Sequence, residues 1–383
     1  MLPLTVWMNY PSFYQGDLFR SLLASARVDL QVIFAKRLPA DRLRLGWDED
    51  LHGYAHRFLD PQHRLSDARR LAWAARRRLH IVNGIWAEPA FTAALITLAT
   101  ARSRYAIYSE APDPHPRRSA IKRALRGGLG RVLASRASGL LPVSHLAADF
   151  YRQLGVRQAA IYPFGYFRSR ARGQARAAGA KKESACEIVF AGQMIPRKGL
   201  DLLLSAAQPL FDEFQGVTLT LIGEGDGLPA LRAQVERSGL ARRVRFEPSI
   251  SPAAIPARLS AADLLVLPSR WDGWGVVVNE AFSVGVPAIV SDQCGAADLI
   301  RAGQNGYVFR AGDADDLRNR LRDFLDQETD WPRWRINAAM MGERVSTEAV
   351  SPYLIDCLNH MMGCTDEKPV PPWTVLSAAQ AAD

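Results

Sequence analysis

The stretch Leu264-Leu-Val-Leu-Pro-Ser-Arg-Trp-Asp-Gly-Trp-Gly-Val-Val-Val-Asn-Glu-Ala-Phe-Ser-Val-Gly-Val-Pro-Ala-Ile-Val-Ser-Asp292 decides the fold. Its two ends, Leu264 to Pro268 and Pro287 to Ser291, are near-continuous apolar runs, the pattern of strands covered on both faces. Between them Asp272, Gly273, Trp274 and Gly275 read as a loop, and residues 277–284 as a helix. Strand, helix and strand in that order make the unit from which parallel, doubly wound sheets are assembled.

The same alternation continues in both directions. Strands are expected at 188–191, 219–222, 244–246, 264–267, 288–290 and 307–309, with helices at 200–214, 228–238, 255–261, 277–284 and 314–324. In the first half strands are expected at 4–8, 30–34, 80–82, 105–108, 139–143 and 159–162, and helices at 18–26, 67–79, 91–101, 119–134 and 146–153. The fold class is therefore α/β, with two successive Rossmann-like domains at 1–163 and 187–345. Residues 164–186, rich in Ala, Gly and Arg, read as the linker; a helix over 346–363 is expected to return to the first domain, and 364–383 to be a disordered tail.

A chain of 383 residues, 48% hydrophobic and 23% charged, has material for two buried cores and excludes collagen-like, disulfide-stapled and wholly disordered classes. Cys186, Cys294, Cys357 and Cys364 form no CxxC pair and read as free thiols in a reducing compartment. The N-terminus has no basic region before an apolar one and reads as a strand, not a signal peptide. The apolar run 85–101 is broken by Glu88 and Pro89; it reads as a buried helix starting near Pro89, too short for a membrane span. A cytoplasmic protein is expected, free or peripheral on the cytoplasmic face of the inner membrane.

The net charge of +9 is unevenly spread: +12 over 1–163, +5 over 164–186 and −8 over 187–383. Of the 48 basic residues 42 are arginine. Arg69, Arg70, Arg76, Arg77 and Arg78, with the segment 117–136, read as a face for anionic lipid; a solvated arginine-rich surface is the alternative. A nucleic-acid-binding protein is the runner-up from another class. No recognised motif accompanies the charge, so nucleic acid is not an expected partner.

Three motifs carry chemistry. Phe190-Ala-Gly-Gln-Met-Ile-Pro-Arg-Lys-Gly199 ends a buried strand at Gly192 and presents Arg197 and Lys198 on the next loop. Ligands of open α/β sheets sit outside the carboxyl ends of strands, where a lysine can bind phosphate as a point charge. A surface turn with two solvated cations is the competing reading. Leu221-Ile-Gly-Glu-Gly-Asp-Gly-Leu-Pro229 has Leu where a dinucleotide fingerprint needs its third glycine, and leaves a turn where backbone can approach a ligand. In the opening stretch, glycines before a helix let a phosphate reach free N–H groups, while Glu280 and Asp272 can each reach sugar hydroxyls. An N-capping Asp272 and a solvated Glu280 are the alternative. Asp313, Asp315 and Asp316 read as a helix cap and not as a metal motif.

With these motifs in order, followed by Ala281-x-x-x-Gly-x-Pro287 and Asn305-Gly306, residues 188–310 resemble the donor-binding domain of the retaining nucleotide-sugar glycosyltransferases of family 4, of the bacterial surface-polysaccharide type. The resemblance implies the GT-B fold, with two doubly wound domains facing across a cleft, and metal-independent hexosyl transfer without a cofactor. It implies that Lys198 binds the donor pyrophosphate, Glu280 the ribose, and Asp272 the transferred sugar. Backbone at Gly273, Trp274, Gly275, Val276 and Val277 would contact the distal phosphate, and Gly223, Glu224 and the segment Pro248 to Ile250 the base. Gln193 stands where an arginine is common, leaving Arg197 to substitute. On the acceptor side Gly16 replaces a Gly-Gly loop, and Glu110 or His115 replaces the usual histidine. A lipid-linked or polysaccharide acceptor at an anionic membrane is the expected partner. A nucleotide-sugar epimerase or a phosphorylase of the same fold is the alternative activity.

Overall fold

In the computed structural model, which describes residues 1–44, 46–112, 120–170 and 186–374, the apolar runs pair into two parallel six-stranded sheets. The first contains β1 (Leu2–Met8), β2 (Val28–Phe34), β3 (His56–Phe58), β4 (Leu79–Asn83), β5 (Tyr105–Glu110) and β6 (Gly139–Val143), in the order β3-β2-β1-β4-β5-β6. The second contains β7 (Cys186–Ala191), β8 (Val217–Ile222), β9 (Val244–Glu247), β10 (Leu264–Leu267), β11 (Ala288–Ser291) and β12 (Gly306–Phe309), in the order β12-β11-β10-β7-β8-β9. Both have the Rossmann order, which reverses at β1/β4 and at β7/β10. There the loops leave the sheet in opposite directions and open a crevice at the carboxyl ends of the strands. β7 and β10 are buried on both faces, as continuous Ile, Val and Leu require.

Met1–Ser169 and the chain from Thr347 onward form one unit; Arg170–Ser346 form the other. In the first unit Trp7, Phe91, Tyr105 and Tyr151 anchor the core. The Trp7 indole donates to His80 Nδ1 at 3.0 Å, while His80 Nε2 lies 3.0 Å from the Ala75 carbonyl. Helix Thr347–Met361 belongs to this unit: it packs against helix Phe13–Ala24, and the Tyr353 hydroxyl donates to the Pro163 carbonyl at 2.9 Å.

Several boundaries differ from the sequence reading. Strand β3 was not expected; it is a three-residue edge strand carrying His56 and Arg57, too short and polar to show a period. Residues 159–162 are not a strand: a 3-10 turn, Gln158–Ala160, leads into two isolated bridges beside β6, Leu140 to Ile161 and Val143 to Phe164. The helix expected over 67–79 is Arg64–Ala74, because Leu79 begins β4. That over 200–214 is split into Leu200–Ala207 and Leu210–Glu213 around Pro209, which has no N–H to donate.

The linker also starts later than expected. Phe164 is bridged to β6 and Phe167 is buried, so 164–169 belong to the first unit, while Cys186 already starts β7. Residues 171–185 lie outside the described residues. The expectation of a disordered tail fails for 364–374, since Trp373 is buried with its ring 5.3 Å from Phe167 and 5.6 Å from Tyr353. Residues 375–383 are not described. Among the described residues no helix is long and apolar enough to cross a membrane.

Candidate active site

The reversal in the second sheet lies between β7 and β10, and the loops leaving these two strands carry Lys198 and Asp272. Lys198 Nζ donates to Asp272 Oδ2 at 2.5 Å, with each side chain only 13% exposed. Two backbone features and one side-chain bond hold the two loops together. Gly199 has φ +68°, and a Cβ there would stand 2.1 Å from the Pro268 carbonyl oxygen. The Arg270 N–H donates to the Arg197 carbonyl at 2.8 Å, and Arg197 Nη1 donates to the Trp271 carbonyl at 2.7 Å. Arg197, expected to serve phosphate, thus braces the β10 loop in this structure. Arg270 grips Asp201 with two bonds of 2.8 and 2.7 Å, which hold the Asp201 carboxyl below its usual range.

The glycines of this region serve the protein's own packing. A Cβ on Gly223 would lie 2.0 Å from the Gly192 oxygen, and one on Gly225 2.6 Å from the Met194 oxygen. The β7 loop is therefore the backbone that packs against the Gly-rich turn after β8. Gly275, at φ +92°, would press a Cβ against Leu267 and the Cys294 sulfur at 2.6 and 2.9 Å. Cys294 is fully buried, and desolvation first, then the Asp272 charge, pushes its thiol well up.

Asp272 does not cap the following helix, Val277–Ser283, whose N-cap position is Val276. Glu280 is buried within that helix and not solvated, so the alternative readings of both carboxylates fail. The Trp274 ring is also buried, donating from Nε1 to Asn279 Oδ1 at 2.8 Å. Val276 and Val277 stand in the first turn, where backbone N–H groups have no partner inside the helix.

Further along the same sheet edge, Gly223, Glu224, Arg232, Phe246, Glu247 and Pro248 line a cavity of about 500 Å³, with the Arg232 guanidinium 4.7 Å over the Phe246 ring. Ile250 is outside that lining. Gln193 lies in the β7 loop, its carbonyl accepting from the Ile195 N–H at 3.1 Å; the adjacent Met194 N–H donates to Glu224 O at 2.8 Å and ties this loop to the cavity. Asp313 accepts from the N–H groups of Asp315 and Asp316 at 3.1 and 3.0 Å, so it caps helix Ala314–Leu325 as read. Among the described residues no cluster of three or more His, Cys, Asp or Glu could hold a metal.

The acceptor-side residues belong to the first unit. Gly16 is not in a loop: it lies inside helix Phe13–Ala24, under the Asp50 carboxylate, where a Cβ would meet Oδ2 at 2.6 Å. Glu110 ends β5 and accepts from the Tyr166 hydroxyl at 2.6 Å. Tyr166 lies 5.0 Å from Tyr14 and 6.0 Å from Tyr108, and burial, then the Glu110 charge, push its phenol well above the usual range. Sequence reading does not find this tyrosine cluster, because its members are scattered along the chain: Tyr14 on helix Phe13–Ala24, Tyr108 in β5 and Tyr166 well past β6, with no local pattern joining them. His115 lies outside the described residues.

Residues 172–341 match the family model described as glycosyl transferases group 1. The GDP-mannose-dependent alpha-(1-6)-phosphatidylinositol monomannoside mannosyltransferase of Mycobacterium tuberculosis is 28% identical over 145 residues, 36% of this chain and 38% of that protein. The D-inositol 3-phosphate glycosyltransferase of Streptomyces coelicolor is 31% identical over 172 residues, 43% of this chain and 38% of that protein. The match thus spans under two-fifths of either relative. Anabaena Alr3699/HepE in complex with UDP superposes with a TM-score of 0.71 at 18% identity, covering 94% of this chain and 100% of that one. The lipopolysaccharide outer core galactosyltransferase WaaB superposes with 0.69 at 14% identity, covering 95% and 100%. Residues 172–341, under half of the chain, are thus similar to the glycosyl transferases group 1, in a molecule whose two Rossmann-like units have the GT-B fold.

Proposed function

We propose that this protein moves a hexosyl group from a nucleoside-diphosphate sugar to an acceptor, retaining anomeric configuration and using no protein-bound metal. The observation that carries the reading is the row of groups along one sheet edge. Asp272 follows β10, Lys198 follows β7, Glu224 follows β8 and Pro248 follows β9, in strand order. Three strand spacings make about 14 Å from end to end. In this reading the base sits in the cavity by Glu224 and Pro248, the diphosphate against Lys198, and the transferred sugar at Asp272. Glu280 takes the ribose hydroxyls. Lys198 neutralises the charge that develops on the departing diphosphate, a preorganised electrostatic role. Thermal-shift screening against a panel of nucleotide sugars tests it: at least one donor should raise the Tm, and Lys198→Ala should remove that shift. No response to any donor would sink the reading. Turnover of the donor without an acceptor would point to an epimerase or a phosphorylase.

The acceptor is assigned to the first unit, with Glu110 beside the tyrosine cluster, and the same unit is proposed to rest on anionic membrane at the cytoplasmic face. Helix Arg64–Ala74 buries Asp67, Ala68, Leu71 and Ala72 and turns Leu65, Arg69 and Trp73 outward at four-residue spacing. Leu65 is 54% and Trp73 55% exposed, and Arg76 lies 4.9 Å over the Trp73 ring. An exposed tryptophan among arginines suits a lipid interface. One of the five arginines drops out of the expected face: Arg78 is bonded to Asp29, Thr5 and the Leu4 carbonyl, and staples β1. In the segment 117–136, Arg117 and Arg118 lie outside the described residues, while Leu129 and Val132 are exposed. Co-sedimentation with vesicles containing anionic lipid should fall several-fold in Trp73→Ser. Equal binding to neutral and anionic vesicles would remove this part of the proposal.

A further inference from the structure

We propose that Asp272 occupies the diphosphate's place on Lys198 until the donor arrives, so that diphosphate binding and release of the carboxylate are a single exchange. The inference rests on the donor-site reading above. The Lys198 ammonium is bonded to Asp272 at 2.5 Å in a setting where each side chain is only 13% exposed, so water compensates neither charge well. The other cations of the two loops are already engaged: Arg270 by both oxygens of Asp201, and Arg197 by the Trp271 carbonyl. Gln193 adds none. A diphosphate reaching Lys198 therefore meets a matched ion pair, and a carboxylate left in place would repel it.

The exchange needs side-chain rotation only. Gly199 against the Pro268 carbonyl and the Arg270–Arg197 backbone bond hold the two loops together. The Asp272 backbone is fixed as well: its N–H donates to Gln293 O at 2.9 Å, and its carbonyl accepts from Gly295 N–H at 3.0 Å. The carboxylate that Lys198 releases is the group assigned to the transferred sugar. Arrival of the phosphates thus frees it for the hydroxyls only when a donor is present. Asp272 acts in this respect as a positioning residue.

Calorimetric titration of the full chain with uridine and guanosine diphosphates, and with the matching nucleosides, tests the exchange. Asp272→Asn removes the competing anion, so it should bind the preferred diphosphate at least tenfold more tightly than the unmodified protein. Nucleoside affinity should stay unchanged. The same variant should melt at a lower temperature without nucleotide, because Lys198 loses its partner, and regain more on adding the diphosphate. Asp272→Glu, which can restore the pair, should return affinity towards the original value. Where Asp272→Asn is recovered unfolded, Asp272→Ser carries the same prediction. Diphosphate affinity equal to or weaker than that of the unmodified protein overturns the exchange while leaving the donor site standing, provided Lys198→Ala loses the preference for diphosphate over nucleoside. If Lys198→Ala keeps that preference, or the unmodified protein binds neither diphosphate, the donor site itself is misplaced and both proposals fall.

Discussion

Single residues set limits that their neighbours in sequence do not reveal. Gly199 sits in left-handed backbone with its Cα against a carbonyl oxygen of another strand's loop, so no side chain fits there without separating the loops that carry Lys198 and Asp272. Gly199→Ala should cost more than about 2 kcal/mol, read as a lower urea midpoint together with loss of nucleotide response. His80 is the clearest source of pH dependence. Burial is the main reason its folded pKa is lowered from 6.5 to about 4. With Trp7 donating to Nδ1, the ring is neutral and its proton lies on Nε2 towards Ala75 O. The unfolded chain binds a proton below pH 6.5 while the folded chain does not, so stability is full above 6.5 and declines as pH falls towards 4. The span corresponds to about 3 kcal/mol. Denaturant midpoints measured from pH 7 to 4 should show this slope, and His80→Gln should flatten it.

Elements, in turn, are held by contacts between backbones more than by the side chains of the motifs. Helix Trp331–Arg344 crosses helix Val277–Ser283 so closely that a Cβ on Gly342 would lie 2.5 Å from the Phe282 carbonyl oxygen. Glu280 rides on the second of these helices, which is why a residue far from the site can move it. Gly342→Ala should destabilise the second unit by about 1–3 kcal/mol and weaken nucleotide binding while every site residue is intact. Unchanged binding in that variant would show that Glu280 is placed without help from the crossing helix. A second tie runs from Arg258, on helix Ile255–Ser260, to Glu187 on β7 at 2.7 Å and to Glu247 at 2.9 Å. It anchors the strand end that lines the cavity.

At the scale of the molecule, the chain leaves the first unit, builds the second and returns. Helix Thr347–Met361 and Trp373 complete the first unit's packing, although they follow the second unit in sequence. Truncation after Gly363 exposes Phe167 and Tyr353 and should cost the first unit about 3 kcal/mol, the range for losing a buried tryptophan. Limited proteolysis should then open the first unit early, while any nucleotide-induced protection of the second persists. Protection lost equally in both units would contradict this division.

Residue pattern alone sufficed for the α/β class, eleven of the strands, the loops that carry Lys198 and Asp272 and the helix that carries Glu280, because burial of parallel strands on both faces writes itself into short, continuous apolar runs. It could not show β3, whose three edge residues carry no period, nor the path of 164–169 and 364–374, whose order comes from contacts with distant chain. That β10 lies beside β7 follows only from the folded molecule. That adjacency brings Lys198 and Asp272, 74 residues apart, to 2.5 Å, and seats Gly199 against the Pro268 carbonyl of the neighbouring loop. Strand order depends on how whole units pack, and local residue pattern contains no record of it.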